Sequence, residues 1–210
     1  MTTPTAALFP MFVKLVGRRC VVVGGGAIAE SKVASLLASG AKVIVVSPNL
    51  TPVLARKARL GAFTWYERRF DACDLYDAFL VIAATSEDAV NEWVYREADR
   101  RGVLCNAVDQ PPRCHFYFPA VVHRGALQIA ISTAGLSPSL AQRLRKELEA
   151  QIGPEYEEWL GWLGRVRAAL MERRLDFATR KQLLARLASR EIFDRWQLSR
   201  KRKRTQQEAA

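Results

Sequence analysis

The sequence contains no uninterrupted apolar run of about 18 residues, the length that a helix needs to cross a bilayer. Its first residues, MTTPTAALFPMFVKL, also lack the basic segment and long apolar run of a secretory signal. Cysteine is scarce, with four residues and no C-x-x-C spacing, which argues against a disulfide framework. We therefore expect a reduced, cytoplasmic protein that does not contact a membrane.

Histidine is scarcer still, because the chain contains only His115 and His123. With Cys105 and Cys114 they form a loose grouping of metal-ligating residues, but the spacing matches no common zinc pattern, so no resident metal is predicted. His115 follows Asp109 by six residues and is a candidate proton relay near the substrate, since imidazole titrates near neutral pH. A histidine with a structural role is the alternative.

Acidic residues are few in the last fifth of the chain. Residues 164–204 hold 14 Lys or Arg and four Asp or Glu, a net charge of +10 out of +11 for the whole protein. This segment is either a solvated helical face or a surface that attracts a polyanion. Nucleic acid is not the expected partner, because the basic run RKRKR has no interleaved aromatic residues. A small molecule with many carboxylates is the other possibility.

A glycine-rich turn follows an apolar run in CVVVGGGAIAESK, residues 20–32. Gly24, Gly26 and Ala29 fit the spacing G-x-G-x-x-A between a strand and a helix, which is typical of dinucleotide binding. The first glycine permits the tight turn, the second lets the backbone approach a pyrophosphate, and the alanine lets the helix pack on the sheet. The free N–H groups at the helix N-terminus favour phosphate. A turn that serves packing alone is the alternative.

Strand-like and helix-like patterns alternate through the first half of the chain. Apolar strand patterns occupy residues 19–24, 42–46, 78–85 and 103–108, and amphipathic helical patterns separate them. This order predicts an α/β fold with a Rossmann-like, doubly wound parallel sheet.

The pattern changes after Asp109. Two β-rich runs on either side of HRG predict an antiparallel pair, and Ser137-Pro138 is a helix start, beyond which the chain has a helical period. We predict a Rossmann domain over residues 1–114, a small β-rich and helical dimerisation region over 115–152, and a basic helical C-terminal domain with a disordered tail over 153–210.

Several polar or small residues follow the predicted strands. Ligands of parallel sheets bind at the carboxyl ends of the strands, where the candidate cofactor-binding residues are Ser47, Asn49, Ala84, Thr85 and Asn106. The second strand lacks the terminal acid that often holds a ribose diol, so the residues alone leave both NAD and NADP open.

Asp109 lies at the same predicted edge and is the one carboxylate between Asp99 and Glu147. This makes it the candidate for acid–base chemistry. An aspartate that forms the turn before Pro-Pro is the alternative.

Taken in order, these segments resemble the precorrin-2 dehydrogenase family, which is the dehydrogenase and ferrochelatase part of sirohaem synthase. The resemblance extends from residue 9 to about residue 150. It rests on the triple glycine and on four further segments: AAT (83–85), CNAVD (105–109), FPAVV (118–122) and ISTAGLSP (131–138).

The resemblance implies NAD-dependent oxidation of precorrin-2 to sirohydrochlorin, followed in bifunctional members by insertion of Fe²⁺ to give sirohaem. Asp109 then corresponds to the catalytic carboxylate, and Ala27, Ile28, Pro48 and Asn49 correspond to cofactor contacts. It also implies an intertwined homodimer in which residues of about 115–150 exchange between subunits. Whether this chain inserts iron as well is open from the sequence.

Two further residues follow from the same resemblance. Thr133, beside Ser132, aligns with a serine that is phosphorylated in some members. Arg143 is a candidate contact for the carboxylates of the tetrapyrrole, although a solvated helical face is an equal alternative. A different class of function is a nucleotide-sensing regulatory domain without catalysis, which would not need a carboxylate at the edge of the sheet.

Overall fold

The computed structural model describes the backbone of residues 7–208 and the side chains of residues 7–200. Its contacts divide the chain into two compact units, one that ends at Phe118 and one that begins at Pro119. Within the described backbone, no helix is both long enough and apolar enough to cross a membrane.

A five-stranded parallel sheet with the strand order β3-β2-β1-β4-β5 forms the centre of the first unit. The strands are β1 (Arg19–Val23), β2 (Lys42–Val46), β3 (Thr64–Tyr66), β4 (Leu80–Ala83) and β5 (Leu104–Ala107). Its helices are α1 (Ala27–Ala38), α2 (Pro52–Arg59) and α3 (Asp88–Arg100), with short 3₁₀ turns at Ala72–Leu75 and Pro111–Arg113. The predicted Rossmann-like sheet is confirmed.

Four of the strands, β1, β2, β4 and β5, are buried on both faces, whereas the edge strand β3 is half-buried or exposed. In β1, Val21 and Val23 belong to one core cluster, whereas Cys20 and Val22 belong to another cluster that includes Ala29 of α1. Successive side chains of a strand point to opposite faces, so continuous apolar strands are needed where helices cover both sides.

The position of the site follows from the strand order. The chain proceeds from β1 outward through β2 and β3, and then returns to the other side of β1 to form β4 and β5. The crevice where the order reverses therefore lies at the carboxyl ends of β1 and β4, which is where ligands bind in folds of this kind.

The second unit begins with an antiparallel hairpin of β6 (Ala120–Arg124) and β7 (Leu127–Ile131). Four helices follow, α4 (Pro138–Gln151), α5 (Glu155–Met171), α6 (Phe177–Leu187) and α7 (Arg190–Glu208). The Ser137 hydroxyl caps α4 by accepting a hydrogen bond from the Leu140 amide at 3.2 Å. Between the helices, the buried rings of Trp159 and Phe193 meet edge to face, with centroids 5.4 Å apart.

The end of the chain is helical as far as the structure describes it. The backbone of α7 continues to Glu208, and residues 209–210 lie outside the described residues. Arg, Lys, Gln and Glu are all good helix formers, and the basic run contains neither glycine nor proline. A disordered tail stays a prediction.

Candidate functional site

Two glycines of the turn after β1 are required by the packing of the protein itself. Gly24 has φ +119°, and a Cβ there would overlap the Ala84 carbonyl group, whose carbon lies 2.8 Å from the Cβ position. A Cβ on Gly25 would overlap the backbone oxygen of Asn49. The turn is therefore wedged between the loops that follow β4 and β2. The role of Gly25 was not predicted, because it falls between the two glycines of the fingerprint.

Gly26 is different, because it is exposed and a Cβ there would have no described atom within 4 Å. It is the N-cap residue of α1, and no side chain of the described part caps this helix. The first-turn N–H groups of α1 therefore have open space in front of them. This arrangement fits the phosphates of a dinucleotide, since uncapped helix N-termini bind anions. Ala27 and Ile28, the next two residues, are also exposed beside it.

The loop after β2 presents Pro48 and Asn49 to solvent, whereas Ser47 is turned inward. The buried Ser47 hydroxyl donates to the Asn49 carbonyl oxygen at 2.7 Å, and the Ser47 carbonyl accepts from the indole of Trp65 at 2.9 Å. Ser47 thus shapes the loop. Asn49 is exposed, so it is the candidate of the two for contact with a ribose.

Ala84 and Thr85 follow β4, and Thr85 is held by a residue that the sequence did not single out. The buried Asn91 of α3 accepts from the Thr85 hydroxyl at 2.8 Å and from its amide at 3.3 Å, and donates to its carbonyl at 3.0 Å. The available signal was an amide on the apolar face of α3, in line with the buried Val94 and Ala98.

The loop after β5 holds Asn106 and Asp109 in different roles. The buried Asn106 amide donates to the Phe116 carbonyl at 2.8 Å, so this side chain supports the segment that covers the edge of β5. Asp109 is exposed two residues beyond the end of β5, with φ +60°. Aspartate is among the few residues that adopt this left-handed conformation readily.

The loops that follow the carboxyl ends of β1, β2, β4 and β5 form one rim of the sheet. Lys32 is a further residue near this rim that the sequence did not indicate. It lies one turn beyond Ile28 on α1, and its ammonium is 3.7 Å from the centroid of the Phe118 ring. Burial lowers the pKa of Lys32, while the charge of Asp109 acts in the opposite direction. The structure thus brings a half-buried cation near the candidate carboxylate.

His115 is held by structural partners. Its ring Nδ1 accepts from the Cys105 amide at 3.1 Å, and its Nε2 lies 3.2 Å from Asp99 Oδ1. Cys105 precedes the carboxyl end of β5 by two residues, and Asp99 lies at the C-terminal end of α3. The ring therefore lies on the flank of the sheet and is not brought to the rim, which favours the structural alternative.

Two candidates lie in the second unit. Arg143 forms an exposed pair with Glu147 at 3.6 Å, one turn along α4. Thr133 lies in the turn between β7 and α4, where its hydroxyl accepts from the Ser137 amide at 3.2 Å. Contact of Arg143 with substrate and phosphorylation of Thr133 or Ser132 stay predictions.

Two of the four cysteines, Cys20 and Cys105, are buried in the sheet. Burial raises the pKa of Cys20 to about 11 and the pKa of Cys105 to about 12, so both thiols are protonated near neutral pH. Over the described side chains, no group of three or more His, Cys, Asp or Glu residues is placed to hold a metal ion.

Comparison with known families matches two segments of the chain. Residues 11–120 match the family described as "Putative NAD(P)-binding". Residues 124–151 match the family described as "Sirohaem biosynthesis protein central". The first match covers more than half of the chain and includes the glycine turn and Asp109.

Related proteins carry the same description. The chain is 41% identical over 164 residues to siroheme synthase 1 of Serratia proteamaculans, covering 78% of this chain and 34% of that protein. It is 37% identical over 186 residues to a siroheme synthase of Actinobacillus pleuropneumoniae, covering 89% of this chain and 38% of that protein. The chain thus spans little more than a third of the length of these relatives.

Among solved structures, the chain is similar to one described as SirC, precorrin-2 dehydrogenase. The TM-score is 0.80 and the sequence identity is 27%, with 95% of this chain and 98% of that chain covered. The similarity therefore extends through both units.

Proposed function

Since the chain belongs to the precorrin-2 dehydrogenase family, the NAD(P)-binding part of sirohaem synthase, we propose that it oxidises precorrin-2 to sirohydrochlorin with NAD. The observation that carries the proposal is the common position of the glycine turn, Thr85 and Asp109. All three follow the carboxyl ends of adjacent strands in one parallel sheet. Similarity to the solved dehydrogenase over nearly all of both chains supports it.

The residues of the rim have separate tasks in this proposal. The open space beside Gly26 and the uncapped start of α1 hold the pyrophosphate, and Asn49 lies where a ribose hydroxyl is bound. Residues 47–50 contain neither Arg nor Lys to pair with a 2′-phosphate, which favours NAD over NADP. When bound, NAD supplies the acceptor for a hydride from the substrate.

Asp109 is proposed as the general base. Dehydrogenation removes a hydride and a proton from the macrocycle, and a carboxylate at the rim can accept that proton. Its exposure leaves the carboxylate accessible to a substrate, and its backbone is held beyond β5 by the hydrogen bond from the Gln110 amide to the Ala107 carbonyl, 3.1 Å long.

We also propose that the protein acts as a homodimer through the β6–β7 hairpin. On β7, Leu127, Ile129 and Ile131 lie on one face of the strand and are only half-buried within the chain. A second copy can cover these apolar side chains. Sedimentation at two protein concentrations tests this proposal, and a monomer at both concentrations would contradict it.

The activity is tested by incubating the protein with precorrin-2 and NAD and following sirohydrochlorin by absorption. Asp109→Asn keeps a residue that tolerates the left-handed backbone, and we expect turnover to fall by about 10²–10⁴-fold with NAD affinity unchanged. Asp77→Asn is the matched control, because Asp77 is also exposed with φ +53° but precedes β4, at the other end of the sheet. Sirohydrochlorin with Fe²⁺ as substrate tests the chelatase reaction of bifunctional members.

The alternative function has a distinct outcome in the same assay. A wild-type protein that binds NAD but oxidises no precorrin-2 would overturn the proposal and favour a nucleotide-sensing domain. Full turnover in Asp109→Asn would leave the dehydrogenase proposal intact but remove Asp109 from the chemistry.

A further inference from the structure

We propose that Lys32 binds a carboxylate of the tetrapyrrole and so positions the macrocycle against Asp109. The inference rests on the proposed function and assigns a substrate-positioning residue to it. The observation behind it is a half-buried cation that forms no ion pair or hydrogen bond with any side chain that the structure describes.

The Lys32 ammonium is half-buried and lies over the Phe118 ring at 3.7 Å from its centroid. Among the side chains that the structure describes, none forms a hydrogen bond or an ion pair with it. Arg113 shows the contrast, because its guanidinium donates to Asp88 at 2.7 Å and to Gln110 at 2.8 Å. Arg113 is therefore already engaged, whereas Lys32 has three N–H donors that an incoming anion can use.

The surroundings of Lys32 favour an anion. Burial lowers the pKa of Lys32, which means that the charged form has lost part of its hydration, and the negative charge of Asp109 offsets part of this loss. The two groups interact electrostatically without a direct ion pair. A substrate carboxylate beside the ammonium would replace the lost hydration with a charge-assisted hydrogen bond.

The position of Lys32 on α1 separates it from the cofactor phosphates. Phosphates are expected at Gly26, and Lys32 is the sixth residue of the helix, which places its Cα roughly 9 Å further along the axis. Its ammonium lies on the Phe118 side of the helix and interacts with Asp109, the proposed base. The acetate and propionate side chains of precorrin-2 supply carboxylates to this place.

The test compares Lys32→Met with Lys32→Arg and uses Lys42→Met as the control. Methionine follows the lysine side chain as far as Cε and can contact the aromatic ring, but it lacks the ammonium and its charge. Lys42 is exposed at the first position of β2, at the opposite end of the sheet. Sirohydrochlorin, the product, serves as the probe in a fluorescence titration, NAD is titrated separately, and thermal unfolding reports the fold of each variant.

We expect Lys32→Met to weaken sirohydrochlorin binding by about 10–100-fold, as for the loss of a hydrogen bond between charged groups. NAD affinity should be unchanged. KM for precorrin-2 should rise while kcat stays within about threefold, since the interaction is made in the ground state as well. Lys32→Arg should recover most of the affinity, and Lys42→Met should behave as the wild type.

Three results would overturn the inference. They are wild-type sirohydrochlorin affinity in Lys32→Met, an equal loss in Lys42→Met, and a loss of NAD binding with tetrapyrrole binding intact. The last result would assign the ammonium to the cofactor. If the wild-type protein oxidises precorrin-2 and Lys32→Met is unaffected, this inference alone fails. If the wild-type protein neither binds sirohydrochlorin nor oxidises precorrin-2, the proposed function fails with it.

Discussion

The glycines of the turn after β1 allow a test in which stability and cofactor binding are affected separately. Gly24→Ala places a Cβ against the Ala84 carbonyl, whose oxygen and carbon are both backbone atoms that cannot rotate away. It also puts a non-glycine residue at φ +119°. A strained backbone conformation costs about 1–3 kcal/mol and overpacking costs a similar amount, so the free energy of unfolding should fall by about 2–6 kcal/mol.

Gly26→Ala is the matched variant two residues away. Gly26 has φ −84°, which alanine adopts freely, and its Cβ position faces open space. The expected loss of stability is that of an alanine at the N-cap of a helix, about 1 kcal/mol or less relative to glycine. The new methyl group instead occupies the space assigned to the pyrophosphate, so NAD affinity should fall by about tenfold or more.

Urea unfolding and NAD titration of the two variants and the wild type measure both effects. We expect Gly24→Ala to be the less stable protein and Gly26→Ala to be the stable protein that binds NAD poorly. If Gly26→Ala unfolds as readily as Gly24→Ala, Gly26 is needed for the fold. If Gly26→Ala binds NAD with wild-type affinity, the open space at the start of α1 is not the phosphate site.

The remaining predictions concern buried polar groups and thiols. Asp74→Ala should lower the free energy of unfolding by about 2–3 kcal/mol in urea, because its buried carboxylate accepts two hydrogen bonds from an arginine and one from a backbone amide; a change below 0.5 kcal/mol would contradict this. Asn91→Ala should weaken NAD binding, measured by titration, because Thr85 loses its three hydrogen bonds to Asn91; unchanged affinity would show that the loop is held by other contacts. Burial raises the pKa of Cys20 from 9.0 to about 11. Between these pH values the folded state keeps a proton that the unfolded state loses. The contribution of the buried thiol to the free energy of unfolding is therefore complete below pH 9 and is lost as the pH rises to about 11. Cys20→Ala should therefore lose less stability between pH 9 and 11 than the wild type does, and an identical decline would refute the burial argument.

The sequence predicts the parallel sheet well because the signals there are local. Apolar runs such as Val21–Val23 are long enough to be recognised as strands buried on both faces, and the glycine turn marks where the first of them ends. At the tail the two local signals disagree, because a run of like charges favours disorder whereas the same residues are good helix formers.

The site could be predicted only in part, because its remaining members are brought together by tertiary contacts. Lys32 and Phe118 are 86 positions apart in the sequence, and nothing in either local pattern indicates that an ammonium lies over that ring. His115 shows the converse case. It follows Asp109 by only six residues, which predicts a place near that carboxylate. The chain turns between the two residues, and the imidazole accepts a hydrogen bond from the Cys105 amide instead.

The segment from Asp109 to Phe118 connects the edge of the sheet with the candidate site. An exposed edge strand invites pairing with other chains, and here the edge of β5 is covered by the antiparallel bridge between Asn106 and Cys114. The same segment is tied to α3 by Arg113 and reaches α1 through Phe118. Asp109, the first residue of this segment, precedes both contacts and lies in the turn that the Gln110 amide closes by donating to the Ala107 carbonyl at 3.1 Å. The segment that covers the strand edge thus begins at the carboxylate on which the proposed chemistry depends.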